Sequence, residues 1–182
     1  MKKIFLVLSI LTLSISINAQ SLSDLLNKSK SSYKISGEVV GLQDSSVMLA
    51  YYFGGKQYAT DTAKVVNGKF TFTGDKELKG GMYLIVLADQ KYFDIIISDT
   101  HFSFKTDIND LVGAMSFRNS VENPPFYKYL SFIGDMQKKV TPIREELETA
   151  DEERKKKLQE SVNKIDSKVK SFRSNFIKNN SN

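Results

Sequence analysis

The sequence predicts an α+β protein: an antiparallel β-sandwich or flattened barrel of about seven strands, followed by an αα-hairpin. Three observations carry this expectation. Apolar and polar residues alternate with period two in short runs between Tyr33 and Lys105, which suits strands with one buried and one wet face. Turn residues such as Gly54-Gly55, Asn67-Gly68 and Asp89-Gln90 separate those runs, so neighbouring strands should be joined by tight turns. Beyond Asn123 the apolar spacing changes to three and four residues, the spacing of a helical stripe.

The chain has 182 residues, with 26 Lys and Arg against 21 Asp and Glu, one histidine and no cysteine. Residues 1–19 open with Lys2-Lys3, continue through the apolar run Ile4–Ile17 and end at Ala19 before Gln20. That order is expected to be a signal peptide cleaved between Ala19 and Gln20, since the run is too short and too interrupted by Ser and Thr for a good membrane span. Cleavage removes two lysines and lowers the formal charge from +5 to +3. With no cysteine after the run, lipid attachment there is excluded. The expected product is a periplasmic or cell-envelope protein without stable membrane insertion. Residues 20–32 are rich in Ser and polar groups and are expected to form a flexible lead-in.

A β-sandwich module is expected over 33–107. Tyr33, Ile35 and Val39 alternate with polar residues, and Gly37 sits on the apolar register, as at a bulge or a close crossing of backbones. Val47, Leu49, Tyr51 and Phe53 form the second run, and Gln57–Val66 the third. Asn67-Gly68 is a strong hairpin signal leading into Lys69–Thr73. Met82–Ala88 is continuously apolar, so that strand should be covered on both faces. Tyr92–Ser98 and His101–Lys105 complete the series.

Residues 108–123 read as a connecting loop or short edge strand, and 124–182 as the helical hairpin. Asn123-Pro124 suggests an Asn cap followed by proline in the first turn. The first stripe runs through Phe126, Tyr129, Leu130, Ile133, Met136, Val140, Ile143, Leu147 and Ala150. Pro142 is expected to kink or restart the helix. Thr149-x-x-Glu152 offers a capping box for a second helix with the stripe Leu158, Val162, Ile165, Val169, Phe172 and Phe176. Neither helix can bury its stripe alone, so the two should pack together, on the sandwich, or on a further partner.

The composition excludes disulfides, thiolate metal sites and thiol nucleophiles. No catalytic residue, metal site or cofactor is expected. His101 with Asp94, Asp99 and Asp107 has suitable ligand types but no supporting spacing, and no G-x-S-x-G elbow, Walker loop or dinucleotide motif occurs. The basic residues of the last helix are interleaved with acids at pairing distances, so an ion-paired wet face is expected and a nucleic-acid partner is not. The aromatic groups around Tyr51, Tyr58 and Tyr92 are the candidate binding residues. Adjacent aromatics on a strand face opposite ways, and the helical hairpin or an edge loop is expected to cover those outside the core.

The runs Tyr33–Gly37, Asp61–Gly74 and Ser120-x-x-Asn123 resemble the N-terminal β-module, of unknown function, of Bacteroidota-type exported thioredoxin-like thiol-disulfide oxidoreductases. The resemblance spans about 33–178, and Asn67-Gly-Lys-Phe-x-Phe-x-Gly74 is its most specific part. It implies an accessory module preceding a thioredoxin-like domain, positioning that domain or recognising its client. The family's Cys-x-x-Cys pair is absent here, so no catalytic residue carries over. A thioredoxin-like domain or an envelope protein is the implied partner. A stand-alone envelope module for peptide or glycan is the alternative.

Overall fold

The computed structural model describes residues 31–43 and 45–180. The signal peptide and nearly all of the lead-in expected from the sequence lie outside the described residues. Among the described residues there are eight strands: β1 Tyr33–Val40, β2 Ser46–Phe53, β3 Lys56–Lys64, β4 Lys69–Gly74, β5 Gly81–Val86, β6 Tyr92–Ile97, β7 His101–Asp107 and β8 Ser116–Arg118. Two helices follow, α1 Asn123–Thr149 and α2 Glu152–Asn180. The α+β class is therefore observed, with β8 as a short edge strand in the segment expected to connect sheet and helices.

The strands form two four-stranded sheets, ordered β4-β1-β7-β8 (sheet A) and β3-β2-β5-β6 (sheet B). One pair departs from the antiparallel expectation: β1 and β7 run parallel, with Ile35 opposite Phe102 and Gly37 opposite Phe104. Tight turns dictate antiparallel pairing only between sequential strands. β1 and β7 are joined instead through all of sheet B, and the chain returns in the same direction. A second departure concerns Asn67-Gly68. Its turn forms, with φ of 51° and 73° and reciprocal Val66–Lys69 backbone bonds of 2.9 and 3.0 Å. Yet β3 and β4 lie in different sheets, so the turn carries the chain from one layer to the other.

The core lies between the layers. Ile35, Val39, Phe72 and Phe104 from sheet A meet Val47, Leu49, Ile85 and Ile95 from sheet B, all buried. Phe104 is its aromatic centre, with ring centroids 5.8 Å from Phe70 and 5.6 Å from Phe93. These edge-on pairings let the positive rim of one ring meet the negative face of the next. On β5 only the inward residues and Leu84 are buried, while Met82 is exposed; coverage of both faces is thus local, not continuous.

A phenol–carboxylate bond ties β1 to β3: the Tyr33 hydroxyl donates to Asp61 Oδ2 at 2.9 Å. Burial, then the Asp61 hydrogen bond and charge, push the Tyr33 pKa from 10.0 up to about 12. A raised pKa means that the folded state favours the protonated phenol. Its contribution is complete below pH 10 and is lost as pH rises through about 12. Urea midpoints are therefore expected to fall across that window, and to fall less steeply in Tyr33→Phe. An unchanged slope in the variant would discount this bond as the alkaline weak point.

α1 runs from Asn123 through Pro142 to Thr149 without restarting. Pro142 removes one backbone donor, but the helices pack against each other along its length. Tyr129 stacks near Phe172 at 6.1 Å, Phe132 lies on Phe172 at 3.8 Å, and Tyr129 lies 5.0 Å from Phe176. At the other end Arg154 grips Glu146 through two bonds of 2.6 and 3.1 Å, so the helices form an antiparallel hairpin. The expected Thr149 capping box does not form. Asp151 caps α2 instead, its Oδ1 accepting from Arg154 N at 2.8 Å, while Thr149 Oγ1 donates back to Glu146 O. Asp at this position satisfies a free amide and complements the positive helix end.

Candidate functional site

The three candidate tyrosines separate into two groups because strand residues alternate between faces. Tyr51 on β2 lies directly opposite Tyr58 on β3 and Tyr83 on β5. The rings form a ladder, Tyr51 stacked on Tyr58 at 5.8 Å and 5.9 Å from Tyr83, with Phe53 edge-on to Tyr58 at 6.4 Å. Tyr83 is buried and donates to Lys79 O at 3.0 Å, which anchors the inner end of the ladder. Burial, then Tyr51, raise the Tyr83 pKa.

Neither the helical hairpin nor an edge loop covers this group. Tyr58 is 42% exposed and Phe53 70%. The reason is the strand order: α1 docks beside β6, whereas β2 and β3 occupy the other side of sheet B. The tip of the β2–β3 hairpin, from Tyr51 to Thr60, is thus exposed on both faces, while Val47, Leu49 and Ala63 at its base are buried.

Tyr92 stands on the outward face of sheet B. Register places Ala50, Leu84 and Asp94 in one row and Met48, Val86 and Tyr92 in the next, with Met82 opposite Ile96 and Tyr52 following Tyr51, the last residue of β2 paired with β5. Met48, Tyr52, Met82 and Tyr92 are between 41% and 50% exposed, yet Leu84 between them is fully buried. The Tyr52 phenol reaches Tyr92 by a side-chain hydrogen bond, which raises the Tyr92 pKa. Asp94 lies half-buried in the same face, and desolvation raises its pKa. The surface is apolar and aromatic with one carboxylate at its margin.

The start of α1 joins this sheet to the hairpin in a way the sequence expectation missed. Asn123 does not cap the helix; Glu122 holds that position without a side-chain bond. Asn123 is instead fully buried. Its Oδ1 accepts from Ile96 N at 2.8 Å, and its Nδ2 donates to Ile96 O at 2.6 Å and to Ser120 Oγ at 2.9 Å. One turn on, the Tyr127 hydroxyl donates to Asp94 O at 2.7 Å. Two side chains spaced i, i+4 thereby bond three outward backbone groups of β6, the N–H and C=O of Ile96 and the C=O of Asp94. Phe117 and Tyr127, 5.1 Å apart, extend the aromatic chain from Phe104 into the helix. Burial, then the Asp94 charge, push the Tyr127 phenol up.

On sheet A the outward face is polar. Ser36, Glu38, Lys69, Thr71, Lys105 and Arg118 border a groove of about 810 Å³. Glu38 bridges Lys105 at 2.8 Å and Lys69 at 3.8 Å, and Lys105 chiefly holds its carboxyl below the usual range. His101 is exposed at the start of β7, its Nδ1 2.9 Å from Thr100 Oγ1. Its notional partners are elsewhere. Asp99 accepts from Val121 N, Asp107 accepts from Asn109, and Asp94 belongs to sheet B. Among the described residues no three His, Cys, Asp or Glu side chains are grouped to hold a metal ion. No described helix is long and apolar enough to cross a membrane.

A family model described as a domain of unknown function (DUF4369) matches residues 33–126, just over half of the chain. The chain belongs to the DUF4369 family. The matched DUF4369 segment begins at the first residue of β1 and ends within the first turn of α1, so it contains both sheets and Asn123. No curated protein and no solved structure matches the chain.

Proposed function

We propose that this DUF4369 chain is an exported, non-catalytic accessory module that positions a thioredoxin-like redox domain or recognises its client. The observation that carries this reading is the outward face of sheet B. Its exposed Met48, Tyr52, Met82 and Tyr92 form a contiguous apolar patch, the kind of surface that marks a protein contact. Met and Tyr supply adaptable and amphipathic contact area respectively. The Asn123 and Tyr127 bonds fix the helical hairpin to the edge of this same sheet, so sandwich and hairpin act as one lever. The resemblance of Tyr33–Gly37 and Asp61–Gly74 to the accessory half of exported thiol-disulfide oxidoreductases supplies the class of partner. Export would follow cleavage between Ala19 and Gln20, placing the module in the periplasm or cell envelope.

The test is capture. Immobilised protein exposed to an envelope extract is expected to retain a thioredoxin-like protein carrying Cys-x-x-Cys, identified by mass spectrometry. The Met82→Asp, Tyr92→Ala double variant should lose at least about tenfold of that protein, because both changes remove buried contact area at the patch centre. No redox protein enriched over bare resin, or undiminished capture by the variant, would overturn the proposal. A second reading, a stand-alone envelope module for peptide or glycan, draws on the stacked Tyr51–Tyr58 pair, whose open ring faces suit sugar rings and apolar side chains. It predicts retention of a peptide or glycan that Tyr51→Ala abolishes and the sheet B variant leaves intact.

A further inference from the structure

The two edges of sheet B are treated differently. The β6 edge is bonded at Ile96 and Asp94 by Asn123 and Tyr127 of α1, whereas β2 is the only described strand that pairs with β3. Gly54 and Gly55 have φ of 56° and 76°, a two-residue turn that makes Phe53 and Lys56 the closing hydrogen-bonded pair. Counting on in twos, Tyr58 bonds to Tyr51, while the backbone N–H and C=O of Gln57 and Ala59 point away from β2. The register then slips, with Ala50 opposite Ala59 but Leu49 opposite Asp61, so Thr60 is a bulge. Past the bulge, Asp61 Oδ1 accepts from Thr62 N at 2.7 Å, closing the next outward amide. The unpaired stretch is short and centred on Tyr58.

We propose that this stretch pairs with the same stretch of a second copy, antiparallel and about a two-fold axis at Tyr58. The observations favour a copy because the edge is complementary to itself. Outward groups on Gln57 and Ala59 sit symmetrically about Tyr58, so Gln57 meets the second copy's Ala59 and Ala59 its Gln57, giving four backbone bonds. Tyr58 then faces Tyr58 in the non-hydrogen-bonded position, where side chains approach most closely. The ladder Tyr83–Tyr51–Tyr58 would continue across the axis into the second copy. Lys56, Tyr58 and Asp61 share one face, since Lys56 pairs with Phe53, Tyr58 with Tyr51 and Asp61 with Leu49. Antiparallel pairing therefore brings Lys56 of one copy beside Asp61 of the other, matching opposite charges at both ends. The interface is small, so the expected Kd is on the order of 100 µM.

Sedimentation equilibrium of the purified protein across that concentration range tests the proposal. The unmodified protein is expected to shift from monomer to twice the monomer mass. Ala59→Pro removes an outward donor at a position where an edge strand tolerates proline, and Tyr58→Lys sets like charges against each other across the axis. Each variant, shown to be folded by circular dichroism, is expected to stay monomeric throughout, at least a tenfold weakening. Should Ala59→Pro fail to fold, the exposed Tyr58→Lys substitution decides alone. A protein monomeric at all concentrations, or a dimer that persists in either folded variant, overturns the inference. Absence of redox-partner capture by the unmodified protein, or capture undiminished in the sheet B variant, would count against the sheet B proposal, whereas the dimer is read independently from sedimentation.

Discussion

Replacing Asn123 with alanine is expected to lower the unfolding free energy by about 3 kcal/mol, an unusually large effect for one polar side chain. The side chain is fully buried and makes three hydrogen bonds, two of them to the N–H and C=O of Ile96. Alanine leaves both Ile96 groups without partners beside the docked helix. An unsatisfied buried group costs about 1–3 kcal/mol, against about 1 kcal/mol for the net worth of an ordinary bond. Aspartate has nearly the same shape and is the sharper probe. It still accepts from Ile96 N, but it presents a second acceptor to Ile96 O and a charge to a buried site, so it should destabilise at least as much as alanine. Urea denaturation measures both, and hydrogen exchange at the Ile96 amide reports whether the β6 edge has opened. A loss below about 1 kcal/mol in both variants would mean that water replaces the amide readily. Tyr127→Phe removes one bond to Asp94 O and should cost about 1 kcal/mol.

Asn123 also marks where sequence reading runs out. Asn before Pro-Pro is a sound local signal for a helix start, and the helix does start there. The side chain's use is decided by which sheet edge lies within reach, a long-range fact that local propensity does not encode. The same division explains the other departures. Alternation located most of the longer strands because burial on one face enforces period two, and the continuous apolar run Met82–Ala88 located β5. The Asn67-Gly68 turn forms as its residues require, but two φ values do not decide whether the flanking strands stay in one sheet. Parallel β1–β7 pairing leaves no local trace at all. Pro142 passes through α1 because the bonds lost at one turn are outweighed by packing along the whole hairpin. Tyr51, Tyr58 and Tyr92 were recognisable as binding candidates by residue type alone. Their separation into a ladder and a sheet face follows from parity along β2 and β6, which the sequence does carry. Their exposure depends on where α1 docks, which it does not.

Substituting Gly37 with valine is expected to cost about 2–3 kcal/mol through overpacking. Gly37 is paired on both sides, with Phe70 of β4 and Phe104 of β7, and both rings fold over the space a side chain would fill. A Cβ built there would lie 2.5 Å from Phe70 Cζ and 2.6 Å from Phe104 Cζ. The backbone at Gly37 is not in the left-handed region, so conformational strain plays no part. Two effects then oppose each other. A β-carbon in a strand restrains the unfolded chain and gains about 0.5–1 kcal/mol. Displacing two core rings loses more, because Phe104 also packs on Phe93 and Phe117, and a shift there propagates toward Tyr127 and the helix. The second effect wins for valine. For alanine the balance is closer, with a net loss of about 1–2 kcal/mol. The cause can be isolated by a double-mutant cycle. Phe70→Leu shortens one of the two rings, so in the Gly37→Ala background it should recover about 1 kcal/mol relative to its cost in the unmodified chain. Strict additivity of the two substitutions would show that the glycine is held by something other than the rings above it.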